Sequence, residues 1–587
     1  MAHIREMTNT EHHFRVFAGP GAGKTHWLAQ HLKKVLRESN QLGKTRKIAA
    51  ITYTNVAAKE LSERLGVDSY RVDVSTIHSF LYRYVIQPFK FLLQDETDSG
   101  LYLDCEKLSG HSEHFVRQDR LRSWIAWLEV QRGKSLDYLN YPKNKKALLN
   151  KLVTLEWQLV GDSCRLVFDP QKKYLKIPIV FTPEELIEYK KGYWRYGILH
   201  HEDVLFFAHY LLANHPEVLQ FVRKRFAYIF VDEFQDTTQL QTWIIKKIAD
   251  ASTVVGVIGD IAQSIYLFTG AQKKDFESFT LEGIKDYKID DNHRSVEQIV
   301  KFLNTLRDDI QQESRRDPFE NAATQILVGD TTSALRWIED QGFPTPTILA
   351  RNNSQVNAIR HGIANQPSGD NLIKALYAVD SDRTRPAFLH SLLLARDFSI
   401  KNENKNAVAE VVKYLKKDKG GHRLNYPPMT FRRIAIGIIR ELQSADFLDK
   451  TLYEYYTSIS KRLADEQNIK IGAGYRAGNV KRFADSHKFG DLLPFIRTDT
   501  SAKERIRTIH SAKGTQFDSV MLVVTEEEFE KWIRNGKNAI DNDADDSARI
   551  YYVGLSRAKN HLFVNIADCV DGIIAEHPFL AIQYLKA

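Results

Sequence analysis

The eight residues AGPGAGKT, from Ala18 to Thr25, constrain this chain more than any other stretch of it. They follow the apolar run FRVFAG and open the helix-like run HWLAQHLKKVL, so a strand, a glycine-rich turn and a helix succeed one another directly. Around Gly19, Gly21, Ala22 and Gly23 the backbone is free to curl until its N–H groups face a phosphate. Lys24 then reaches the β and γ phosphates, and the Thr25 hydroxyl is placed to hold Mg²⁺. A nucleoside triphosphate is the ligand such a loop takes. The bland alternative is a glycine-rich turn ending on a solvated lysine, and it leaves the matching strand and helix unexplained. The loop sets the class of ligand but not the kind of NTPase.

The same alternation of apolar strand and amphipathic helix recurs along the chain and predicts an α/β fold with parallel sheets. Two sheet-forming regions are legible: 1–89 with 196–285 (FRVFAG, KIAAITYT, YIFVDE, VVGVIGD), and 286–364 with 496–587 (PTILAR, RIRTIHSAKG, SVMLVV, HLFVNI). Each is interrupted by an insertion, 90–195 and 365–495, rich in Lys, Arg and aromatics and patterned like helices. At 587 residues the chain is too long for one core, and about three to five compact units are expected. Hydrophobic residues make up 43% and charged residues 27%, without an apolar run of about eighteen residues, so no membrane span and a cytoplasmic location are expected. The N-terminus, MAHIREMTNTEHH, has no apolar signal region, and Cys105, Cys164 and Cys569 lie too far apart in sequence to suggest a disulfide framework or a zinc site. A net charge of +8 suits nucleic-acid binding through local patches without itself arguing for it.

FVDEFQDTTQLQ, from Phe230 to Gln241, closes an apolar strand with carboxylates, at the strand end where open α/β sheets bind ligands. Asp232 suits the Mg²⁺ shell, and Glu233 suits orienting and deprotonating an attacking water. An acidic turn is often only a helix cap. Beside a phosphate-binding loop, the catalytic reading is the stronger.

The pair AGPGAGKT and DEFQD resembles the superfamily 1A helicases of the UvrD, Rep and PcrA type. Further stretches are similar to that family's motifs in the expected order: ITYTNVAAKELSERL from Ile51, STIHSF from Ser75, IGDIAQSIYLFTGA from Ile258, DNHRS from Asp291, TIHSAKGTQFDSV from Thr508 and YYVGLSRAK from Tyr551. The resemblance implies two RecA-like parallel-sheet motor domains with two mainly helical inserted subdomains. It also implies ATP and Mg²⁺ as ligands, and hydrolysis that drives 3′ to 5′ movement on single-stranded DNA or on duplex with a single-stranded tail. By the same resemblance, Gln263 would sense the γ phosphate. Arg294 and Arg557 would stabilise charge on the transferred phosphoryl group from across a cleft. His293, Gly514 and Gln516 would approach the nucleotide from the same side. Thr52, Tyr53, Thr54, Asn55, Thr76, His78, Tyr266, Phe268, His510 and Ser511 would supply phosphate donors and stacking rings for DNA.

Three departures from the family stand out. Such helicases carry a glutamine upstream of the loop lysine to read adenine, yet this chain has none before Gln30; His293 stands where they have a stacking tyrosine; and Gln516 stands where they have glutamate. Nucleotide affinity is therefore expected to rest on the triphosphate more than on the base. About thirty residues follow Arg557, too few for a nuclease domain, so any DNA cleavage is expected from a partner. A narrower resemblance is to the helicase-like subunit of the Gabija anti-phage system, which works with an OLD-type nuclease. A stand-alone repair or replication helicase, a nucleotide- and DNA-sensing subunit that switches a nuclease, and RNA as the substrate stay open at this point.

Overall fold

The computed structural model describes residues 1–94, 102–108, 110–169, 177–266, 270, 273–353, 355–356, 358–359, 372–380, 382, 384–400, 403–416, 424, 426–492, 505–529, 531–532, 540, 546–567 and 581–585. The strands Phe226–Val231 and Val254–Gly259 are buried at every position. That is the unbroken apolar pattern a parallel strand needs when both of its faces are covered. They sit inside a seven-stranded parallel sheet ordered Ala2–His3, Lys285–Ile289, Phe14–Ala18, Val254–Gly259, Phe226–Val231, Lys47–Thr52, Val72–Thr76. One face is covered by Leu28, Leu32 and Val35 of the helix Lys24–Glu38. The other is covered by Phe80, Phe207, Leu211 and Ile244.

That second core continues into the insertion, through Trp124, Leu128, Leu148, Trp157 and Tyr189. The first insertion thus shares a core with the sheet instead of closing one of its own. Its helices include Gln118–Arg132, Pro142–Leu152 and Pro183–Trp194, and it adds an antiparallel hairpin of Leu155–Val160 and Ser163–Phe168.

The second sheet is six-stranded and parallel, ordered Ile506–Thr508, Thr347–Ala350, Phe517–Val523, Ala558–Ile566, Ala323–Val328, Ala581–Tyr584. Apolar clusters cover both of its faces. The α/β class expected from the sequence is therefore the class observed. The chain divides into two compact units, Met1–Ile359 with Arg505–Ala587, and Arg360–Glu504. Chain length alone led to a larger number. The two sheets fall into one unit because Ala262 and Ile265, which follow a strand of the first sheet, lie in the apolar core of the second beside Val296, Ile509 and Tyr552. The other unit has helices such as Thr384–Ile400, Pro428–Leu442 and Leu452–Gln467 around Phe388, Leu392, Leu442 and Tyr456. Among the described residues, no helix is long and apolar enough to cross a membrane.

Candidate nucleotide and nucleic-acid site

The helix Lys24–Glu38 begins on Gly23, which holds φ 76° and ψ 28°, two residues after Gly21 at φ 69°. Both angles lie in the left-handed region that glycine alone enters freely, so the turn the sequence predicts is built at those two positions. Lys24 is buried at the head of the helix, and the Thr25 hydroxyl lies 3.5 Å from Asp232 Oδ2. Asp232 is fixed at its strand end by donating its backbone N–H to the Ile51 carbonyl at 2.9 Å. Glu233 follows at φ 53°, left-handed although not glycine, and its carboxylate accepts the Gln235 amide at 2.6 Å. The other end of Gln235 accepts the Asp260 backbone N–H at 2.9 Å, joining the ends of two adjacent strands.

Burial and the adjacent Glu233 charge push the Asp232 carboxyl up from its ordinary range. Burial acts on Glu233 in the same sense, but the nearby Lys24 and Lys513 charges outweigh it and hold Glu233 ionised. Burial also brings Asp236 up to about 7, against the pull of Lys513. A hydroxyl and a carboxylate side by side are the oxygen donors a hard cation takes, and the left-handed turn before them is a phosphate cradle. Thr25, Asp232 and the loop fit Mg²⁺ and a triphosphate.

The opposite wall comes from the second sheet. Arg557 is buried, and its Nη2 donates to Gln263 Oε1 at 3.0 Å. Arg294 donates to the Ser556 carbonyl at 2.8 Å and to Gln516 Oε1 at 3.3 Å. Burial and the neighbouring Arg294 charge bring the Arg557 guanidinium down to about 9, and burial brings Arg294 to about 10. His293 is exposed, and its backbone N–H donates to the Gly21 carbonyl at 2.9 Å. Asn292 donates to the Pro20 carbonyl at 3.0 Å. Gly514 lies at φ 83° in the loop ahead of Gln516.

The residues read as DNA-facing divide into two groups. Tyr53 and Tyr266 stack on each other, with ring centres 5.1 Å apart and 20° between planes, and the Lys513 ammonium lies 4.5 Å from the Tyr266 ring centre. His510 lies on the same side, 6.3 Å from Tyr266 ring to ring, and Asn55 is exposed. Thr52 is buried instead and donates its hydroxyl to the Thr54 carbonyl, while Thr54 and Thr76 cap the helices Asn55–Leu65 and Ile77–Leu81. Burial and two neighbouring histidines, His201 and His111, bring His78 down to about 4. The Ser511 hydroxyl donates to the Thr508 carbonyl. Phe268 lies outside the described residues.

The structure adds residues that the sequence did not single out. Lys513 bonds Asp236 Oδ2 at 2.6 Å and the Gln263 carbonyl at 2.8 Å. Arg549 bonds the Ser264 carbonyl at 2.9 Å, and the His510 ring lies 3.3 Å from the Ile265 carbonyl. Three successive carbonyls of a segment of the first sheet are thus met by side chains of the second. Lys513 and Asp260 stood inside stretches already noted, in AKG and GDIAQ. Arg307 stands in none, and neither does Gln312, whose side-chain oxygen accepts the Asn292 amide at 3.3 Å; only folding brings them here.

A phosphate-binding loop at the strand ends of one parallel sheet, faced by Arg557 from a second and by Arg294 beside it, defines a two-sheet P-loop protein. Comparison with known families narrows this. The UvrD/REP helicase N-terminal domain matches residues 3–283 and the UvrD-like helicase C-terminal domain matches residues 496–568, together more than half of the chain. The chain belongs to the UvrD/REP helicase family. It is 25% identical to the Gabija protein GajB of Bacillus cereus, over 86% of this chain and 84% of that protein. It is 22% identical to the ATP-dependent DNA helicase PcrA of Staphylococcus epidermidis, over 95% of this chain and 82% of that protein. A Mycoplasma pneumoniae protein named "Probable DNA helicase II homolog" is 23% identical, over 94% and 81%.

Proposed function

We propose that this chain is a cytoplasmic, ATP-dependent motor that moves 3′ to 5′ on single-stranded DNA and unwinds duplex carrying a single-stranded tail. One observation carries the reading. The Gln263 side chain meets Arg557 in the nucleotide cleft, and three residues on, Tyr266 stacks on Tyr53 in the aromatic row. Nucleotide chemistry and base stacking are therefore joined by one short, tightly held segment.

In the proposed reaction, Lys24 and the loop N–H groups bind the triphosphate. Mg²⁺, held by Thr25 and Asp232, would neutralise phosphate charge. Glu233 takes the proton of the attacking water as that water's oxygen bonds to the γ phosphorus. The bond from phosphorus to the bridging oxygen then breaks, leaving ADP and phosphate. Arg294 and Arg557 stabilise the charge that develops on the transferred group.

The likeness to GajB favours a second reading, in which the chain senses nucleotide and DNA and switches a partner nuclease of the OLD type, with little unwinding of its own. Hydrolysis and strand displacement by the chain alone, on duplexes with 3′ or 5′ tails, separate the two. Displacement of the 3′-tailed duplex supports the motor. DNA-stimulated hydrolysis without displacement supports the switch, and hydrolysis indifferent to DNA sinks both.

A further inference from the structure

Arg307 lies three residues beyond the helix Glu297–Asn304, between the two family-model matches and in none of the motif-like stretches. Its side chain is only 1% exposed, and its Nη1 lies 2.9 Å from Asp260 Oδ1, which is itself wholly buried. The same guanidinium donates to the Tyr552 hydroxyl at 3.2 Å and to Asp309 Oδ1 at 2.7 Å. Asp260 uses its other oxygen, Oδ2, to accept the Gln263 amide nitrogen at 2.6 Å. Gln263 then turns its own oxygen to Arg557 at 3.0 Å. Four side chains stand in line, each holding the next.

An amide has one donating and one accepting end, and only the accepting end suits a guanidinium. With its nitrogen engaged by a carboxylate, Gln263 must offer its oxygen to Arg557. If it is released, the amide can turn over and set donor against donor. Asp260 keeps that end engaged only while its own carboxylate is held in place, and a fully buried carboxylate is held by a counter-charge. Among the described residues, Arg307 is the side chain that forms an ion pair with Asp260.

We propose that Arg307 is a positioning residue for phosphoryl transfer: by fixing the Asp260 carboxylate in place it sets which end of the Gln263 amide faces Arg557, and so aims that guanidinium into the cleft. The proposal rests on the reading of this cleft as a site of ATP hydrolysis. Arg307 touches no part of the phosphate-binding loop in the described structure, so its effect should fall on turnover and not on nucleotide binding.

The test uses the full chain, with Arg307→Met, Arg557→Ala and both together in steady-state hydrolysis with single-stranded DNA, and with Arg307→Met, Gln263→Ala and both together in thermal melting without ligand. Arg307→Met should lower kcat by about tenfold to a hundredfold, the size of one to two units of tenfold per 1.36 kcal/mol, and leave KM for ATP within about threefold. The double variant should be no slower than Arg557→Ala alone, because both remove one aim. In melting, the drops for Arg307→Met and Gln263→Ala should combine to less than their sum, as expected for side chains in one network. Rates that multiply, or melting shifts that add, overturn the proposal and leave Arg307 a merely structural ion pair. If Arg307→Met alone fails to fold, Arg307→Met with Asp260→Asn removes charge and counter-charge together and takes its place in both cycles. A wild-type chain that hydrolyses no ATP defeats the reading of the cleft, and the melting cycle then decides on Arg307 independently.

Discussion

In the first insertion, Lys190 is fully buried with its ammonium 2.6 Å from Glu202 and 2.9 Å from Asp203. In the cleft between the sheets, Asp232 adjoins Glu233, and Arg557 feels the charge of Arg294. Burial opposes charge in both places, with opposite outcomes. Around Lys190, attraction overcomes burial: Glu202 and Asp203 are held below the usual carboxylate range and Lys190 above the usual ammonium range. Asp203 also accepts both the Trp157 and Trp194 indole N–H groups, so both of its oxygens are engaged. In the cleft Asp232 is pushed up while Arg294 and Arg557 are pushed down, each away from its charged form. A ligand that brings negative oxygens to the arginines and a cation to Asp232 relieves both. The strain left in the cleft is what a site for chemistry keeps, whereas the attraction around Lys190 is spent on stability.

Substitutions can break this contrast. The largest effect should come from Arg557→Ala, which is expected to cut DNA-stimulated hydrolysis by ~10³-fold or more while leaving the melting temperature unchanged or raised. Calorimetry alongside steady-state rates checks it, and a large drop in melting temperature would make the cleft a structural cluster like the other. Next, Lys190→Met should cost about 3 to 5 kcal/mol of stability, since it strands two buried carboxylates. Urea unfolding should show the loss, and Lys190→Met combined with Glu202→Gln and Asp203→Asn should recover much of it.

The smallest effect concerns acid. His114, beside this cluster, is brought down to about 4, by burial first and then by Lys190. The unfolded chain takes up this proton near pH 6.5 and the folded chain does not until about 4. Stability should therefore fall as pH drops through that window, by up to about 3 kcal/mol at 1.36 kcal/mol per unit. Glu202 and Asp203 act lower, since groups with depressed folded values keep their contribution until pH falls through those values. Melting of His114→Phe across this range should be flatter than that of the unsubstituted chain, and parallel curves would remove His114 from the account.

Local pattern carried much of this to the sequence reader. The strands FAYIFV and VVGVIG are apolar throughout, and Gly21 and Gly23 announce the turn they make. The two-walled cleft was legible only through resemblance, because nothing in the spacing of Gln263 and Arg557 states that they touch. Arg307 was not legible at all, since an arginine in TLRDD reads as a solvated charge until the second sheet folds over it. The fusion of the first insertion with the sheet core escaped for a related reason. Amphipathic helices declare that they have a buried face and not what covers it.

Glu233 sits at φ 53°, where a side chain other than glycine or asparagine costs roughly 1 kcal/mol or more. The backbone there favours one residue type and the proposed chemistry another. Glu233→Asn should therefore melt slightly higher than the unsubstituted chain while its hydrolysis collapses, an exchange visible in one thermal scan and one rate. Natural copies of this gene that no longer hydrolyse nucleotide would be under no selection to keep that tension. Drift to glycine or asparagine at position 233, with the rest of the fold intact, would be an early mark that a lineage has kept the scaffold and retired the engine.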